Sequence, residues 1–237
     1  MSLSELVTPL KRQTLSADVY EQLKELLMTG RMMPGEQISL RGTATALGVS
    51  VMPVREAVHR LAAEQALELT PNRALRAPRM TVSQFREITA IRINLEGLAT
   101  ERAAALLDDA GVARIAELNT QFADEMGRAA PDGAKLIALN KALHFAVYEG
   151  ARMPTLMKMI EALWLRIGPI LNYDLRSGSR RVGDGVAAAH HARLVEALKR
   201  HDGAAAREAL RGDIEAAADF IVSAGVLVTA DADGGRG

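Results

Sequence analysis

The sequence predicts a mainly α-helical protein, in which an N-terminal winged helix-turn-helix is followed by an all-α bundle of six to seven helices. Three observations predict this class. The chain is 49% hydrophobic but only 3% aromatic, and its Ala, Leu and Met favour helices over strands. Short helical segments punctuated by Gly and Pro occupy the first 78 residues. The rest of the chain consists of long stretches in which apolar residues recur at helical spacing and helix-breaking residues are few.

Composition and charge exclude several classes of protein before any motif is considered. The chain has no cysteine, which excludes disulfide bonds, thiolate zinc sites and a cysteine nucleophile. Basic and acidic residues number 29 each, so only a local cluster of charge can indicate a partner. No apolar run approaches the ~20 residues that span a bilayer, and residues 1–13 lack the apolar core of a signal peptide. We therefore expect a cytoplasmic protein.

Three short helices are predicted in the N-terminal module. The first begins at Ser16 and ends at Gly30, the second runs over about 40–47, and the third follows the N-cap candidate Ser50. Helical spacing of apolar residues defines the buried faces of the first and third helices. These faces consist of Val19, Leu23, Leu26, Leu27, Val54, Ala57, Val58 and Leu61.

A hairpin is predicted after the third helix. Residues 67–69 and 75–77 form two short runs on either side of Pro71-Asn72-Arg73, whose residue types are typical of a turn. Three helices followed by a two-stranded wing is the layout of a winged helix-turn-helix. Gly48 can adopt the positive φ that the turn between the second and third helices needs, and Val49 can fill the space between them.

The second region begins at Thr81, which forms a capping-box pattern with Gln84. Six helices are predicted from the apolar periods and their breaks, over about 81–108, 112–129, 132–150, 154–176, 185–200 and 203–223. The predicted domains are therefore 1–78 and 79–224. Small polar residues and glycines from 225 to 237 predict a disordered tail.

The third helix presents polar and apolar side chains at its N-terminal end, where a major-groove reader meets base edges. Arginines cluster in this module although the chain is neutral overall, and such a local excess suits a phosphate backbone. The cluster contains Arg41, Arg55, Arg60, Arg73, Arg76 and Arg79, against Glu56, Glu64 and Glu68. The alternative is a solvated charged surface on a small helical domain.

The same segment resembles the DNA-binding domain of the GntR family of bacterial transcription regulators over about residues 14–78. The resemblance rests on Gly30-Arg31, Pro34-Gly35, Leu47-Gly48-Val49-Ser50, Pro53-Val54-Arg55-Glu56-Ala57, Arg60-Leu61 and Pro71-Asn72-Arg73. It implies that Arg41 and Arg55 contact base edges or phosphates and that Ser50 holds a phosphate at the helix start. It also implies that the wing tip, Asn72-Arg73, enters the minor groove.

The sequence departs from the family pattern at several positions. Val51 and Met52 stand where the family usually has Arg and Thr, and an apolar pair cannot form the fork that arginine makes with guanine. Gln65 and Ala74 replace glycines that the family favours. These departures concern the base preference, not the DNA-binding class.

The second region resembles the all-helical FCD effector domain of the FadR-like subgroup, from about 81 to 224. The markers are Arg92 with Leu95-Glu96, the run from Asn140 to His144, His191 with Ala197-Leu198, and Asp202. The resemblance implies a divalent metal held by Asn140, His144, His191 and Asp213, with Asn140 replacing the usual Asp and Asp213 the last His. Such donors suit Zn, Ni, Fe or Mn. The alternative is hydrogen-bonded core histidines and a solvated Asp213.

Arg92 has two interpretations. Buried without a partner it would be costly, so a carboxylate must neutralise it. Glu96, four residues later on the same helix, can be that partner. The resemblance favours instead a guanidinium that grips a small organic acid beside the metal.

Together these features predict a non-enzymatic, ligand-responsive transcription regulator. It would bind a palindromic DNA operator as a homodimer and act as a repressor, with a small carboxylate as its effector. One alternative is a metal-dependent hydrolase with a DNA-binding appendage, although no general base accompanies the predicted ligands. Another is a direct metal sensor.

Overall fold

The computed structural model of the protein describes residues 15–70, 74–171, 173–176 and 185–228. Its elements follow the predicted order of a small winged module and a helical bundle. They are α1 (Leu15–Met28), β1 (Gln37–Ser39), α2 (Leu40–Leu47), α3 (Val51–Ala63), β2 (Glu68–Leu69), β3 (Ala74–Arg76), α4 (Val82–Leu106), α5 (Asp109–Met126), α6 (Gly133–Gly150), α7 (Pro154–Leu171), α8 (Tyr173–Arg176), α9 (Val186–Lys199) and α10 (Gly203–Ser223).

The turn between α2 and α3 has the predicted geometry. Ser39 caps α2 by accepting from the Gly42 N–H, and Gly48 ends α2 with φ 66° and ψ 31°. The Gly48 and Val49 N–H groups return to Thr45 and Ala44 carbonyls, so the left-handed residue satisfies two of the last carbonyls of the helix.

The wing has three strands where the sequence predicted two. β3 lies in the centre, with β1 and β2 antiparallel on its two sides. Ile38 pairs with Leu75, and Leu69 pairs with Leu75 from the other side. β1 has only three residues, Gln-Ile-Ser, between a turn and a helix, so its sequence shows no strand pattern. Its backbone pairing with β3 holds it in the sheet.

Capping residues set the boundaries of the bundle helices. Thr81 and Gln84 form the predicted capping box at the start of α4. Asp108, Asp132 and Asp202 each accept from backbone N–H groups in the first turn of α5, α6 and α10. Asp108 starts α5 three residues before the predicted position, because Gly111 supplies the N–H that Asp108 accepts and lies inside the helix.

One apolar core runs through both modules, and a second, smaller apolar cluster lies between α5, α6, α8 and α9. α4 packs along α10, α10 packs along α9, and α1 of the winged module packs on α7 of the bundle. The contact between α1 and α7 is close because Gly168 has no side chain: a Cβ there would lie 2.4 Å from the Leu27 carbonyl oxygen.

The chain turns back onto the bundle after α10. The Val228 N–H donates to the Met80 carbonyl, and Val228 forms a parallel bridge with Thr81. The first residues of the segment predicted as a tail are therefore packed, and residues 229–237 lie outside the described residues. No helix in the described part of the chain is both long and apolar enough to cross a bilayer.

Candidate metal centre and nucleic-acid interface

Three ionisable side chains converge inside the helical bundle. His144 comes from α6, His191 from α9 and Asp213 from α10, and all three are buried. One Asp213 oxygen, Oδ2, lies 3.3 Å from His144 Nε2 and 3.6 Å from His191 Nε2. The donor atoms of the three residues all lie within 4.8 Å of one another.

Packing of aromatic rings holds the two imidazoles in place. The His191 ring contacts Phe122 of α5, with 4.9 Å between centroids. The His144 ring lies edge-on to the His191 ring, with 5.2 Å between their centroids. Its centroid lies 5.6 Å from that of Trp164 in α7. Because these contacts come from four helices, the orientation of the rings depends on the whole bundle and not on one segment.

A small cavity opens beside this cluster. Its volume is about 20 Å³, which is room for a water molecule or an ion. Its walls are formed by Arg92, Asn140, His144, Trp164, Leu171, Leu175, Ala187, Asp213, Ile214 and Ala217. A multi-carbon acid would therefore have to widen the cavity on entry.

Glu96 of α4 lies behind the cavity wall and is fully buried. Its Oε1 accepts from Arg92 Nε at 2.7 Å and from Trp164 Nε1 at 3.0 Å. Its Oε2 accepts from the Tyr148 hydroxyl and from Arg92 Nη2, the latter at 3.3 Å. The carboxylate is therefore the common acceptor of three side chains, a tightly satisfied buried charge.

The pKa values of these buried groups reflect the ion pairs and hydrogen bonds that they form with one another. Burial opposes ionisation of Asp213, but the attraction of His191 and the hydrogen bonds from His144 and His191 hold its pKa well below its usual range. Burial also disfavours a charged Arg92, yet Glu96 raises the pKa of the guanidinium above its ordinary value. Burial and Glu96 together raise the pKa of Tyr148 well above that of a free phenol.

The donor set fits a divalent cation. Nitrogen and oxygen ligands bind Zn²⁺ at about 2.0–2.2 Å, so two of them in tetrahedral geometry lie about 3.4 Å apart. The His–Asp separations of 3.3 and 3.6 Å agree with this spacing. Asn140 stands one helical turn before His144 and lines the same cavity, so its amide oxygen is the candidate for a fourth donor.

The N-terminal module exposes one face of α3. Val54, Ala57, Val58 and Leu61 are buried, and Arg55 lies on the opposite, exposed face. Ser50 is the N-cap residue, but its hydroxyl makes no capping hydrogen bond. Met52, in the first turn, is 57% exposed. The start of α3 therefore presents a free hydroxyl, a thioether and a guanidinium on the outside of the module.

Ion pairs divide the arginine cluster into two groups. Arg60 pairs with Glu64 and lies 3.6 Å from the Tyr20 ring centroid, and Arg76 pairs with Glu68 across the wing. Arg41, Arg55 and Arg79 are exposed and have no ion pair within the described residues. These three are thus more available to a phosphate or a base edge than Arg60 and Arg76.

The chain matches known families over both modules. Residues 15–76 match "Bacterial regulatory proteins, gntR family" and residues 87–216 match "FCD domain". The HTH-type transcriptional regulator McbR of Escherichia coli is 36% identical over 69% of this chain and 73% of McbR. The chain belongs to the GntR family.

Other GntR proteins agree with this assignment. The solved structure of E. coli McbR/YncC superposes with a TM-score of 0.82 at 28% identity, covering 90% of this chain and 99% of that one. A GntR regulator structure from Rhodococcus sp. RHA1 gives 0.71 at 21% identity, over 88% and 98%, and so shares the fold. The "Probable D-xylose utilization operon transcriptional repressor" of Paenarthrobacter nicotinovorans is 28% identical over 87% of this chain and 88% of its own length.

This GntR protein is therefore a DNA-binding transcription regulator with an FCD domain, and not an enzyme. The predicted fold, of a winged helix-turn-helix and a helical bundle, is confirmed. The alternative of a metal-dependent hydrolase is wrong, because the relatives that share the two-module architecture are transcription regulators.

The bundle brings together the residues predicted for the FCD domain. Arg92, Asn140, His144 and Asp213 line one cavity, and His191 contacts Asp213 behind it. Arg92 does pair with Glu96, as the first interpretation of this arginine required. In the other module Arg41, Ser50 and Arg55 are exposed, whereas Asn72 and Arg73 of the wing tip lie outside the described residues.

Sequence reasoning missed the polar partners of Glu96. Tyr148 and Trp164 have the appearance of core aromatics in sequence, and both are indeed buried. The structure adds that each donates a hydrogen bond to Glu96. A local signal did exist for Tyr148, since it follows His144 by four residues and so shares its helix face.

Proposed function

We propose that this regulator is a homodimeric, cytoplasmic repressor that releases its operator when a small carboxylate binds beside a metal ion in the FCD domain. The observation that carries the proposal is the cavity whose wall contains Arg92 together with His144 and Asp213 of the His–Asp cluster. A cation and a guanidinium facing the same small space form a binding site for an anion.

DNA recognition is assigned to the exposed start of α3 and to its neighbours. Arg55 and Arg41 would contact base edges or phosphates, and the Ser50 hydroxyl would accept or donate at a phosphate beside the helix N-terminus. The wing tip, Asn72-Arg73, would enter the minor groove. Val51 and Met52 suit an apolar surface such as the thymine methyl group, because neither can pair with guanine.

The metal is assigned to His144, His191, Asp213 and Asn140, with Zn, Ni, Fe or Mn as candidates. Bound there, a divalent ion would supply positive charge for an effector carboxylate. His144 and His191 are the nitrogen donors, and the ionised Asp213 neutralises part of the charge of the ion. Asn140 contributes a neutral carbonyl oxygen. A direct metal sensor is the second candidate, since the same cluster could respond to the metal without an organic ligand.

Arg92 is the residue that would hold the organic acid. Its guanidinium carries five N–H donors, of which Nε and Nη2 each give one to Glu96. The remaining donors are available to the cavity that Arg92 lines. Pairing with Glu96 therefore does not prevent effector binding; it fixes the direction in which the other donors point.

Control of DNA binding requires that the effector prefer one arrangement of the two modules over another. The cavity volume of about 20 Å³ supports such a preference, because an organic acid must displace the helices that form its walls. α7 contributes Trp164 to this wall and also carries the contact with α1. Movement of α7 would thus reach the winged module.

Repression and dimerisation have separate support. The relative from P. nicotinovorans carries the name of a repressor. For dimerisation, Ile91 and Leu98 stand seven residues apart on α4 and are 40% and 43% exposed, which places two apolar side chains on one outer face. Two copies joined there would present two recognition helices to a palindromic operator.

The test is an operator-binding titration with metal and with a panel of small linear mono- and dicarboxylates, added separately and together. We expect wild-type protein to lose operator affinity only when metal and one acid are both present. Loss of affinity with metal alone would establish the direct metal sensor instead. No response to any combination would contradict the proposal.

Arg92→Lys provides the second arm of this test. Lysine keeps the charge but not the planar fork, so operator affinity without ligand should be unchanged while much more acid is needed for release. Arg86→Lys, on the exposed side of the same helix, is the matched control and should respond as wild type does. An unaltered dose response of Arg92→Lys would leave Arg92 as a structural partner of Glu96 only.

A further inference from the structure

A larger cavity lies where the winged module meets the helical bundle. Its volume is about 360 Å³, which is within the range that small ligands occupy in proteins. The winged module contributes the end of α3 and strand β2, the bundle contributes the start of α4 and the C-terminal half of α7, and the linker residues 78–80 form one side. This junction cavity is therefore separate from the cavity beside the metal cluster, whose walls come from the bundle alone.

Two arginines without an ion pair line the junction cavity. Arg79 comes from the linker and Arg166 from α7, and neither side chain has an ion pair or a hydrogen bond within the described residues. The carboxylate in the same wall, Glu68, already accepts from Arg76 Nε at 2.9 Å. The wall therefore carries two positive charges that no group in the described part of the chain neutralises.

The Arg79 side chain is positioned by the turn before β1. A Cβ at Gly35 would lie 2.6 Å from Arg79 Nε, so the guanidinium lies directly against the Gly35 backbone. This turn is in turn joined to the linker, because the Gly35 N–H donates to the Ala77 carbonyl at 2.8 Å and the Ala77 N–H donates to the Glu36 carbonyl. An arginine that is already ordered loses less side-chain entropy when it binds a ligand.

Two glutamines add neutral donors to the wall. Gln84 Oε1 accepts from the Thr81 N–H at 2.9 Å in the capping box of α4, which leaves the NH₂ group of Gln84 free to donate. Gln65 lines the same cavity with a φ of 58°, where a side chain is strained and a glycine is not. Its amide makes no hydrogen bond within the described residues. Strained residues of this kind cluster at binding sites, and the amide is the part of Gln65 that a glycine would lack.

We propose that the junction cavity binds the phosphate monoester of a small organic molecule. Such an ester carries close to two negative charges at pH 7, which matches the two guanidiniums of Arg79 and Arg166, whereas a carboxylate would match only one. Guanidinium groups bind phosphate oxygens through paired N–H donors. Ala62, Leu67 and Met80 provide apolar wall for the carbon skeleton. This site goes beyond the proposed effector site and requires no metal.

The position of the cavity distinguishes this ligand from the backbone of a bound operator. Ala62 of the cavity wall follows Val51, the first residue of α3, by 11 residues. At a rise of 1.5 Å per residue this is about 17 Å along the helix. The surface assigned to DNA is at the start of α3, so the cavity lies at the other end of the recognition helix.

The first readout is calorimetry with full-length, metal-free protein. The probes are a panel of sugar phosphates and nucleoside monophosphates, with inorganic phosphate and the unphosphorylated sugars and nucleosides as comparisons. We expect at least one ester to bind, inorganic phosphate to bind more weakly, and the unphosphorylated compounds not to bind. No binding of any ester would overturn the proposal. Equal affinity for inorganic phosphate and for every ester would overturn the assignment of an organic ligand.

Arg79→Gln and Arg166→Gln test the site itself, with circular dichroism as the check on folding. Each variant removes one charged donor and should weaken ester binding by about tenfold or more. Arg114→Gln is the matched control, because Arg114 is exposed on α5 and has no ion pair in the described part of the chain. Ester binding that is unchanged in both Arg79→Gln and Arg166→Gln would place the ligand elsewhere and overturn the proposal.

Gln65→Gly separates a role in binding from a role in the fold. Relief of the left-handed side chain should raise the melting temperature of the protein without ligand. The further rise on adding the ester, which follows from mass action, should be smaller than in wild type because the amide donor is lost. A residue with only a structural role would not change these two quantities in opposite directions. A full ester-induced rise in Gln65→Gly would contradict its place in the site.

Operator titrations at several salt concentrations distinguish the ester site from a DNA contact. Without ester, Arg79→Gln and Arg166→Gln should bind the operator as wild type does and with the same dependence on salt, since neither arginine is expected to neutralise a DNA phosphate. A slope of log affinity against log salt concentration that is reduced by about one in either variant would assign that arginine to the DNA backbone and overturn the proposal.

Discussion

At the scale of single residues, the contribution of an arginine to DNA binding depends on whether its charge is already paired within the protein. Arg60 and Arg55 lie on the same helix, yet Arg60 is held by Glu64 and by the Tyr20 ring, while Arg55 is exposed without an ion pair in the described part of the chain. An arginine already paired must lose that partner to bind DNA. An unpaired one gains its partner only in the complex, so it contributes more to binding.

Arg55→Ala should therefore weaken binding to the specific operator by about 1–3 kcal/mol, the usual cost of removing a base-contacting arginine. The fold should be unaffected because Arg55 contributes nothing to the buried face of α3. Fluorescence anisotropy with labelled operator measures the change, and Arg60→Ala is the control with the smaller expected effect. Equal losses in the two variants would show that the helix contributes general charge and not a specific contact.

Met52 leads to a prediction about the operator rather than the protein. A thymine methyl group buried against Met52 would contribute about 0.8 kcal/mol, the value of one buried carbon. Replacing the contacted thymine by uracil should then reduce the affinity about fourfold. Met52→Ala should bind both operators equally. If no thymine-to-uracil change in the half-site affects wild-type binding, Met52 does not read a methyl group.

The two buried histidines should each be needed for metal-dependent stability. An ion bound only by the native state stabilises it by mass action, by about 2.7 kcal/mol at a hundred times the dissociation constant. Adding Ni²⁺ or Zn²⁺ should raise the melting temperature of wild type but not of His144→Ala or His191→Ala. His190→Ala is the control, since His190 packs against Gly212 and lies outside the cluster. A full metal-induced rise in the double variant would refute the assignment.

At the scale of secondary-structure elements, four helices end in the same way. After α1, α2, α3 and α9 the chain enters the left-handed region, at Gly30, Gly48, Gln65 and His201, with φ between 52° and 66°. In each case the next N–H reaches back five residues to a carbonyl of the last turn. Glycine adopts this conformation without cost, whereas other residues are strained there.

Gln65→Gly should therefore stabilise the protein, by about 0.5–1 kcal/mol, because it relieves a left-handed side chain at an exposed position. Urea denaturation followed by circular dichroism measures the gain. His201→Gly is the informative comparison: it relieves the same backbone strain but loses the hydrogen bond from His201 Nδ1 to the Ala104 carbonyl. It should gain less than Gln65→Gly, and a loss of stability in Gln65→Gly would contradict the backbone argument.

The elements that local sequence determines are also those that could be predicted. The capping box of Thr81 and Gln84, the turn at Gly48 and the buried face of α3 each depend on residues within one or two turns. β1 could not be predicted because its three residues are strand only through their pairing with β3. The displaced start of α5 has a similar cause: Gly111 indicated a break, but the cap at Asp108 determined the boundary.

At the scale of the whole molecule, the site results from packing between distant segments. The pairs Arg92–Glu96 and His144–Tyr148 are four residues apart, and sequence spacing could suggest each of them. Their meeting could not be predicted in the same way, because Tyr148 reaches Glu96 across 52 residues and Trp164 across 68. Only the resemblance to the FCD domain indicated that the residues from α6, α9 and α10 would converge.

The same long-range packing joins the two modules at Gly168. Its absent Cβ would meet the Leu27 carbonyl oxygen at 2.4 Å and the Met28 Cα at 2.8 Å. Both are backbone atoms, so they cannot rotate out of the way as a flexible side chain could. Lys24 also pairs with Glu161 across this junction at 3.4 Å. α7 therefore holds α1 closely at one end and lines the cavity with Trp164, one helical turn from Gly168.

Gly168→Ala should separate α1 from α7 and lower the free energy of unfolding by about 1–3 kcal/mol, the typical cost of overpacking. Gly127→Ala is the matched control, because a Cβ at Gly127 would meet nothing closer than 3.4 Å. Operator affinity should change little in Gly168→Ala, since the substitution lies at the buried junction of α1 and α7 and not on the exposed face of α3 that carries Arg55, but release by metal and acid should be weakened. If stability falls and release is unchanged, the two modules communicate by a route other than α7. If stability is also unchanged, α1 and α7 are not in the close contact described.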